Sequence, residues 1–114
     1  MTKEHFIEGL KNQTNSFQQT MDFIEANFDF TPVAFTVGEQ VNELGTNQGS
    51  AKIFSLGKAL SLKEEEVLQC FGDFYRKDVL EHPEAEDHQN IRNFIKFGWS
   101  GVSIDANALA PKTH

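Results

Sequence analysis

The sequence has one cysteine, Cys70, and little positive charge. A single cysteine excludes an internal disulfide, so neither a disulfide-stapled scaffold nor an oxidising compartment is indicated. Ten basic residues face seventeen acidic ones, which gives a net charge of −7. Most of the negative charge falls in residues 61–87. Binding to a nucleic acid backbone requires a basic surface, so this balance argues against a nucleic acid partner. The acidic stretch is interpreted as a solvated face, or as a surface that attracts basic partners or cations.

Long apolar runs are also missing from the sequence. No segment approaches the roughly 20 apolar residues that a membrane-spanning helix needs. Residues 1–10 alternate charged and apolar side chains and lack the apolar stretch of a secretory signal. We therefore expect a cytoplasmic protein with no membrane partner.

Phenylalanine and a length suited to one domain are the positive features of the sequence. The chain has 114 residues, with eleven Phe, one Tyr and one Trp. A chain of this length can bury a core without cross-links. Phe adds apolar area without a polar group to satisfy, so a Phe-rich core is expected. The predicted fold class is α+β: one predominantly helical domain of about five helices, with a small two- or three-stranded β element.

Apolar spacing and capping residues predict the five helices. The first helix covers residues 3–11, and the second is capped by Asn15 or Ser16, includes Phe28 and ends before Pro32. The third covers residues 51–60, and the fourth runs from a capping box at 61–64 to about Leu80. The fifth covers residues 88–98 and is capped by Asp87. Two stripes are expected to face inward. They are Val67, Leu68, Phe71, Phe74, Tyr75 and Val79 in the fourth helix, and Ile91, Phe94 and Ile95 in the fifth.

A change to alternating periodicity predicts the β element. Residues 33–37 read as a strand, Gly38-Glu39 as a turn, and Val41 as part of the returning strand. A further short strand at 102–104 is expected to pair with residues 33–37. The tail, 107–114, is expected to be loose.

Several segments together resemble the HopJ family, which is named after a type III secretion effector. They are FTPVAFT at 30–36, VNE at 41–43, NQGS at 47–50, CFGD at 70–73, and DHQNIRNF at 87–94 followed by Gly98-Trp99. The resemblance covers about residues 16–109, with one departure at Val37, where the family pattern has Asn. It implies no established activity, substrate or cofactor. The family name alone suggests secretion through a type III system, and the acids Glu4 and Glu8 in a predicted helix argue against export.

The fifth helix carries the main candidate binding surface. His88, Arg92 and Trp99 are spaced by four and seven residues, which places them on one strip beside the apolar face. An imidazole, a guanidinium and an indole at this edge could bind a carboxylate, a phosphate or a partner side chain. In the simpler alternative, Arg92 stacks on Trp99 or pairs with the acidic fourth helix, and His88 completes the helix cap.

Residues 45–52 form a second candidate. Free backbone N–H groups at the start of the third helix, assisted by Lys52, could hold an anion. The segment lacks the P-loop pattern, so a turn with a cap, ordered by Asn42 and Glu43, is the simpler interpretation.

A metal site in the loop before the fifth helix is the third candidate. Its potential ligands are His82, Glu84, Glu86, Asp87 and His88. Their spacing matches no zinc or EF-hand pattern, so we predict neither a metal nor a cofactor.

Two functional hypotheses follow. The first is a non-enzymatic protein-interaction domain, related to type III effectors. The second is a small-ligand-binding protein or small enzyme with a polar pocket between the 36–50 loop and the 88–99 helix. Five polar residues would line that pocket: Asn42, Asn47, His88, Asn90 and Arg92. No catalytic residue is assigned, the partner is either a protein or a small polar ligand, and the oligomeric state stays open.

Overall fold

The structure is a computed structural model that describes residues 2–112, apart from the side chain of Ala106. Within these residues it is one compact, mainly helical domain with two small antiparallel sheets. The elements in chain order are α1 (Lys3–Asn12), α2 (Phe17–Asn27), β1 (Phe28–Phe30), β2 (Phe35–Val37), β3 (Gln40–Asn42), α3 (Gln48–Leu60), α4 (Glu64–Cys70), a π-helix (Phe74–Val79), α5 (Gln89–Phe97), a 3₁₀ turn (Gly98–Gly101), β4 (Val102–Ser103), a second 3₁₀ turn (Ala106–Ala108) and β5 (Leu109–Pro111). No helix in the described part of the chain is both long and apolar enough to cross a bilayer.

The first three helices are present as predicted, but the end of α2 and the start of α3 differ from the predicted bounds. Ser16 caps α2: its hydroxyl accepts from the Gln19 N–H at 3.1 Å, and its own N–H donates to the Gln19 side chain at 2.8 Å. This reciprocal pair satisfies two backbone donors that the helix itself leaves free. Helix α3 begins at Gln48, earlier than the predicted residue 51. The first helical turn of α3 therefore includes residues that were predicted to form a loop before the helix.

The prediction of one continuous fourth helix is wrong. Helix α4 ends at Cys70, and Gly72 has a φ of +60°, which L-residues with side chains rarely adopt. A Cβ at Gly72 would lie 2.5 Å from the backbone nitrogen of Phe17, so the start of α2 packs directly on this glycine. The chain resumes as a π-helix, which turns Phe74 outward to 40% exposure while Tyr75 stays buried.

Two predicted helix caps also need correction. Glu66, not Glu64, accepts from the backbone N–H at the start of α4, where Lys63 donates at 2.9 Å. Ser61 instead ends α3 in the left-handed conformation. At α5, the cap position belongs to His88, not Asp87, and Ile95 is 48% exposed although it was predicted to face inward. The bounds of α5 otherwise agree with the predicted 88–98 within one residue at each end.

The predicted hairpin is confirmed, and a second sheet was missed. Strands β2 and β3 pair around Gly38-Glu39, and β4 pairs with the other edge of β2. The second sheet joins β1 to β5, with Phe30 opposite Leu109. Leu109–Pro111 therefore form a strand instead of a loose tail, and Phe28 begins β1 instead of extending α2; residues 113–114 lie outside the described part.

A cluster of aromatic rings forms the centre of the core. Phe54 in α3 is fully buried, with ring centroids 5.2 Å from Phe94 of α5 and 5.8 Å from Phe71. Trp99 packs so closely on α3 that a Cβ at Gly57 would lie 2.8 Å from its ring. The predicted Phe-rich core therefore fixes α3 against α5, and this packing positions the first turns of the two helices.

Candidate binding cleft

A cleft of about 310 Å³ opens between the first turn of α3 and the first turn of α5. Phenylalanine rings from the start of α2, the end of α4 and the π-helix form its apolar wall. The residues that line it are Phe17, Gln40, Asn47, Gly49, Ser50, Phe71, Phe74, His88, Gln89, Asn90 and Ile91. The cleft therefore joins the 36–50 segment to the fifth helix.

Both helices begin with a residue in the left-handed conformation. Asn47 has a φ of 48° and His88 a φ of 52°, and neither side chain caps its own helix. The first-turn N–H groups of Gly49, Ser50 and Asn90 make no hydrogen bond to any other described residue. Helix N-termini carry free donors and a partial positive charge. Two such ends at one cleft favour a ligand that offers hydrogen-bond acceptors.

Three asparagines form a hydrogen-bonded cluster behind the cleft. Asn42 is 1% exposed and exchanges two hydrogen bonds with Asn90: it donates at 2.8 Å and accepts at 2.9 Å. The Oδ1 of Asn42 also accepts from Asn47 at 2.8 Å, and its Nδ2 donates to the Phe35 carbonyl at 3.3 Å. The cluster thus ties β3, the start of α3 and the start of α5 together. Buried amides in a network of this kind hold their neighbours in one arrangement.

His88 forms part of the cleft wall and is paired with an acid. Its Nε2 lies 3.0 Å from the carboxylate of Asp78 and 3.7 Å from that of Asp87. The ring also packs on Phe74, with centroids 5.2 Å apart. The bond to Asp78 places the proton of a neutral ring on Nε2 and leaves Nδ1 as an acceptor.

Arg92 is held away from the cleft by the loop before α5. Its guanidinium donates to the Asp87 carboxylate and to the Asp87 carbonyl, both at 2.6 Å, and to the His82 carbonyl at 2.9 Å. Hydrogen bonding from Arg92 holds the pKa of Asp87 below its ordinary value, with the nearby positive charges adding to the effect. The arginine therefore pairs with an acid of this loop and not, as the simpler alternative expected, with an acid of the fourth helix.

Trp99 and Lys52 also lie apart from the cleft lining. The indole N–H of Trp99 donates to the Leu62 carbonyl at 3.0 Å. The Lys52 ammonium lies 5.5 Å above the ring of Phe30. Because Gly98 ends α5 before Trp99, helical spacing does not extend to the indole, and the expected strip of His88, Arg92 and Trp99 does not form.

Some lining residues were not predicted from the sequence. Phe74 was assigned to an inward-facing stripe and Phe17 lies at the start of the predicted second helix, and apolar spacing does not separate a cleft wall from a core. Asp78 lies ten residues before His88, in a segment predicted as ordinary helix. Only the π-helix brings its carboxylate to the imidazole, so no local pattern could have identified this pair.

The comparisons with known proteins agree with this architecture. A family model described as "HopJ type III effector protein" matches residues 3–109. The chain belongs to the HopJ family. The crystal structure of VPA0580, described as a protein of unknown function, is 47% identical to this HopJ chain. The match covers 98% of this chain and 95% of VPA0580, with a TM-score of 0.93. No curated protein matches the sequence. The HopJ match also includes α1, which the sequence resemblance had left out.

Proposed function

We propose that this HopJ protein binds a small polar molecule in the cleft between α3 and α5. The observation that carries the proposal is the meeting of two uncapped helix starts, at Asn47 and His88, on one cleft with an aromatic wall. Ligand sites commonly combine an apolar lining with a few convergent polar groups. This hypothesis corresponds to the polar pocket expected between the 36–50 loop and the fifth helix.

The lining restricts the chemistry of the ligand. Its free backbone donors favour a group with acceptor oxygens, such as a carboxylate or an amide, and the rings of Phe17 and Phe74 favour a planar or apolar body. A cleft of about 310 Å³ is at the small end of the range for ligand sites. Asp78 and Asp87 beside His88 oppose a highly charged anion. A metabolite-sized molecule with one acceptor-rich end therefore fits better than a polyphosphate.

The asparagine cluster would keep the site ready for its ligand. Asn90 is 6% exposed, and its amide is fixed by Asn42. A polar group that is already held in place loses little freedom when a ligand binds, so more of the contact energy appears as affinity.

A thermal-shift screen of small carboxylic acids, amides and nucleosides, followed by calorimetric titration of each hit, tests the proposal. Ser50→Phe should abolish binding because its ring would occupy the cleft. Asn47→Gly should weaken binding by about tenfold, because it removes one amide but tolerates the left-handed backbone. Lys52→Met, outside the lining, should leave the affinity unchanged. If no compound class stabilises the protein, or if a hit binds Ser50→Phe as well as the wild type, the proposal fails.

A protein partner is the second candidate, and the edge of the three-stranded sheet favours it. Strand β3 has β2 on one side and no described strand on the other, and Val41 is 69% exposed. Leu44, shortly after this strand, is 67% exposed. We expect such a partner to be lost in Val41→Lys and Leu44→Lys and kept in Ser50→Phe, measured by pull-down with the purified chain. The opposite pattern would assign the partner to the cleft.

Export through a type III system, which the family description names, is a separate proposal for this chain, although Glu4 and Glu8 lie in α1 and argue against it. A reporter fusion should leave a secreting bacterial strain and should stay inside a matched strain that lacks the secretion system. Equal retention in both strains would refute export.

A further inference from the structure

We propose that Asp78, Asp87 and His88 bind a divalent transition metal, with Zn²⁺ as the reference ion. One oxygen of each carboxylate and one ring nitrogen lie within 4.8 Å of one another. The three residues come from the π-helix, the following loop and the start of α5. This site does not depend on a ligand in the cleft, and the metal alone tests it.

The separations of the ligand atoms suit a coordinated ion. Protein oxygen and nitrogen ligands lie about 2.0–2.2 Å from Zn²⁺, so two ligands of a tetrahedral ion are roughly 3.3–3.6 Å apart. The Nε2 of His88 is 3.0 Å from Asp78 and 3.7 Å from Asp87, on either side of that value. The two carboxylate oxygens lie within 4.8 Å of each other, so closing the set around one ion would bring them together by up to about 1 Å and leave a fourth position for water or another ligand.

The neighbouring contacts leave the required lone pairs accessible. Arg92 engages Oδ1 of Asp87, whereas Oδ2 of Asp87 faces His88. The side chain of Asp78 bonds to His88 and to no other described side chain. Metal binding would move the imidazole proton from Nε2 to Nδ1 and thereby free the Nε2 lone pair. The guanidinium of Arg92 lies next to the site and orients the carboxylate of Asp87. The negative charges of Asp78 and Asp87 offset the repulsion between this guanidinium and a metal ion.

The mixture of ligand types selects the class of metal. One imidazole with two carboxylates suits Zn²⁺ and similar transition ions, whereas Ca²⁺ and Mg²⁺ prefer oxygen ligands alone. The loop acids Glu84 and Glu86 remain exposed and outside this group of three, so the metal cluster considered from sequence is replaced by a different one. The new ligand is Asp78, which lies in the π-helix and was not among the ligands considered from the sequence.

The experiment is a calorimetric titration of the full chain, first treated with a chelator, with ZnCl₂, CoCl₂ and CaCl₂. We expect one equivalent of Zn²⁺ and of Co²⁺ to bind, and Ca²⁺ to bind much more weakly. His88→Asn keeps a residue that tolerates the left-handed backbone, and Asp78→Asn keeps the side-chain shape; each should weaken Zn²⁺ binding at least about tenfold. His82→Gln and Asp73→Asn, an exposed histidine and an exposed acid nearby, are the matched controls and should bind like the wild type.

A measurement on the unmodified chain guards against unfolding of the variants. Addition of Co²⁺ should shift or broaden the NMR signals of the His88 ring and leave those of His5 sharp. The proposal is overturned if Zn²⁺ shows no saturable binding at millimolar concentration. It is also overturned if the folded variants bind as tightly as the controls, or if Ca²⁺ binds as well as Zn²⁺, since an acidic surface alone would then explain the result.

Discussion

Replacing Asn42 by Ala should destabilise the protein strongly, because Asn42 satisfies the polar groups of a second buried amide. In the folded chain, Asn42 and Asn90 exchange two hydrogen bonds, at 2.8 and 2.9 Å, and the two residues are 1% and 6% exposed. The substitution leaves the Nδ2 and Oδ1 groups of Asn90 without these partners. Asn47 loses an acceptor too, but it is exposed, so water replaces it.

The size of the effect follows from the two side-chain groups of Asn90 that lose their hydrogen-bond partners. Each buried polar group without a partner costs about 1–3 kcal/mol. Because Asn90 lines the cleft, water can relieve part of this cost, and the expected loss in the free energy of unfolding is about 2–4 kcal/mol. For a domain whose total stability is on the order of 5–15 kcal/mol, this is a large fraction.

Urea unfolding followed by circular dichroism measures this loss. Asn90→Ala and the double variant complete a thermodynamic cycle. The double variant removes both amides, so it should lose less than the sum of the single losses, with a coupling energy of about 1–2 kcal/mol. Asn12→Ala, at an exposed asparagine in α1, should change stability by less than about 0.5 kcal/mol. A loss for Asn42→Ala as small as that control, or additive single losses, would refute the reasoning.

Three further predictions concern the glycine break, the buried thiol and the acid beside the cleft. Gly72→Ala should lower the free energy of unfolding by about 3 kcal/mol in urea titration, because of its left-handed φ and the contact with the Phe17 backbone. A loss under about 1 kcal/mol would contradict this packing. Burial raises the pKa of Cys70, so the thiol should resist a disulfide reagent in the folded chain and react after unfolding; fast reaction of the folded chain would count against it. Hydrogen bonding from Arg92 lowers the pKa of Asp87, so its stabilising effect is present above about pH 4 and lost as the pH falls through the folded pKa. Urea titrations of Asp87→Asn should therefore differ from wild type at neutral pH and converge once the pH is below the folded-state pKa of Asp87, and a constant difference would exclude this linkage.

Local patterns predicted the elements whose signals lie within a few residues. Apolar spacing located α5, and Ser16, one of the two predicted caps, marks the start of α2. The alternation at 33–37 and the turn at Gly38-Glu39 predicted the β2–β3 hairpin. In each case one short segment contains both the periodicity and the residue that ends it, so no distant contact was needed.

Part of the candidate site could also be predicted from the sequence. The sequence pointed to Asn42, Asn47, His88 and Asn90 through segments that resemble the HopJ family, and the structure brings these four to one cleft or directly behind it. The prediction that placed Trp99 on the same strip as His88 was wrong, because Gly98 interrupts the helical spacing on which it depended.

By itself, the sequence determined a single Phe-rich, mainly helical domain and the positions of α1, α5 and the β2–β3 hairpin, because hydrophobic periodicity and capping act over a few residues. Tertiary structure decided the rest. The break at Gly72 depends on the start of α2, the β1–β5 sheet joins Phe30 to Leu109, and the Asp78–His88 pair depends on the π-helix. Each of these features forms between segments that no local pattern connects, and packing of the whole chain is what brings them into contact.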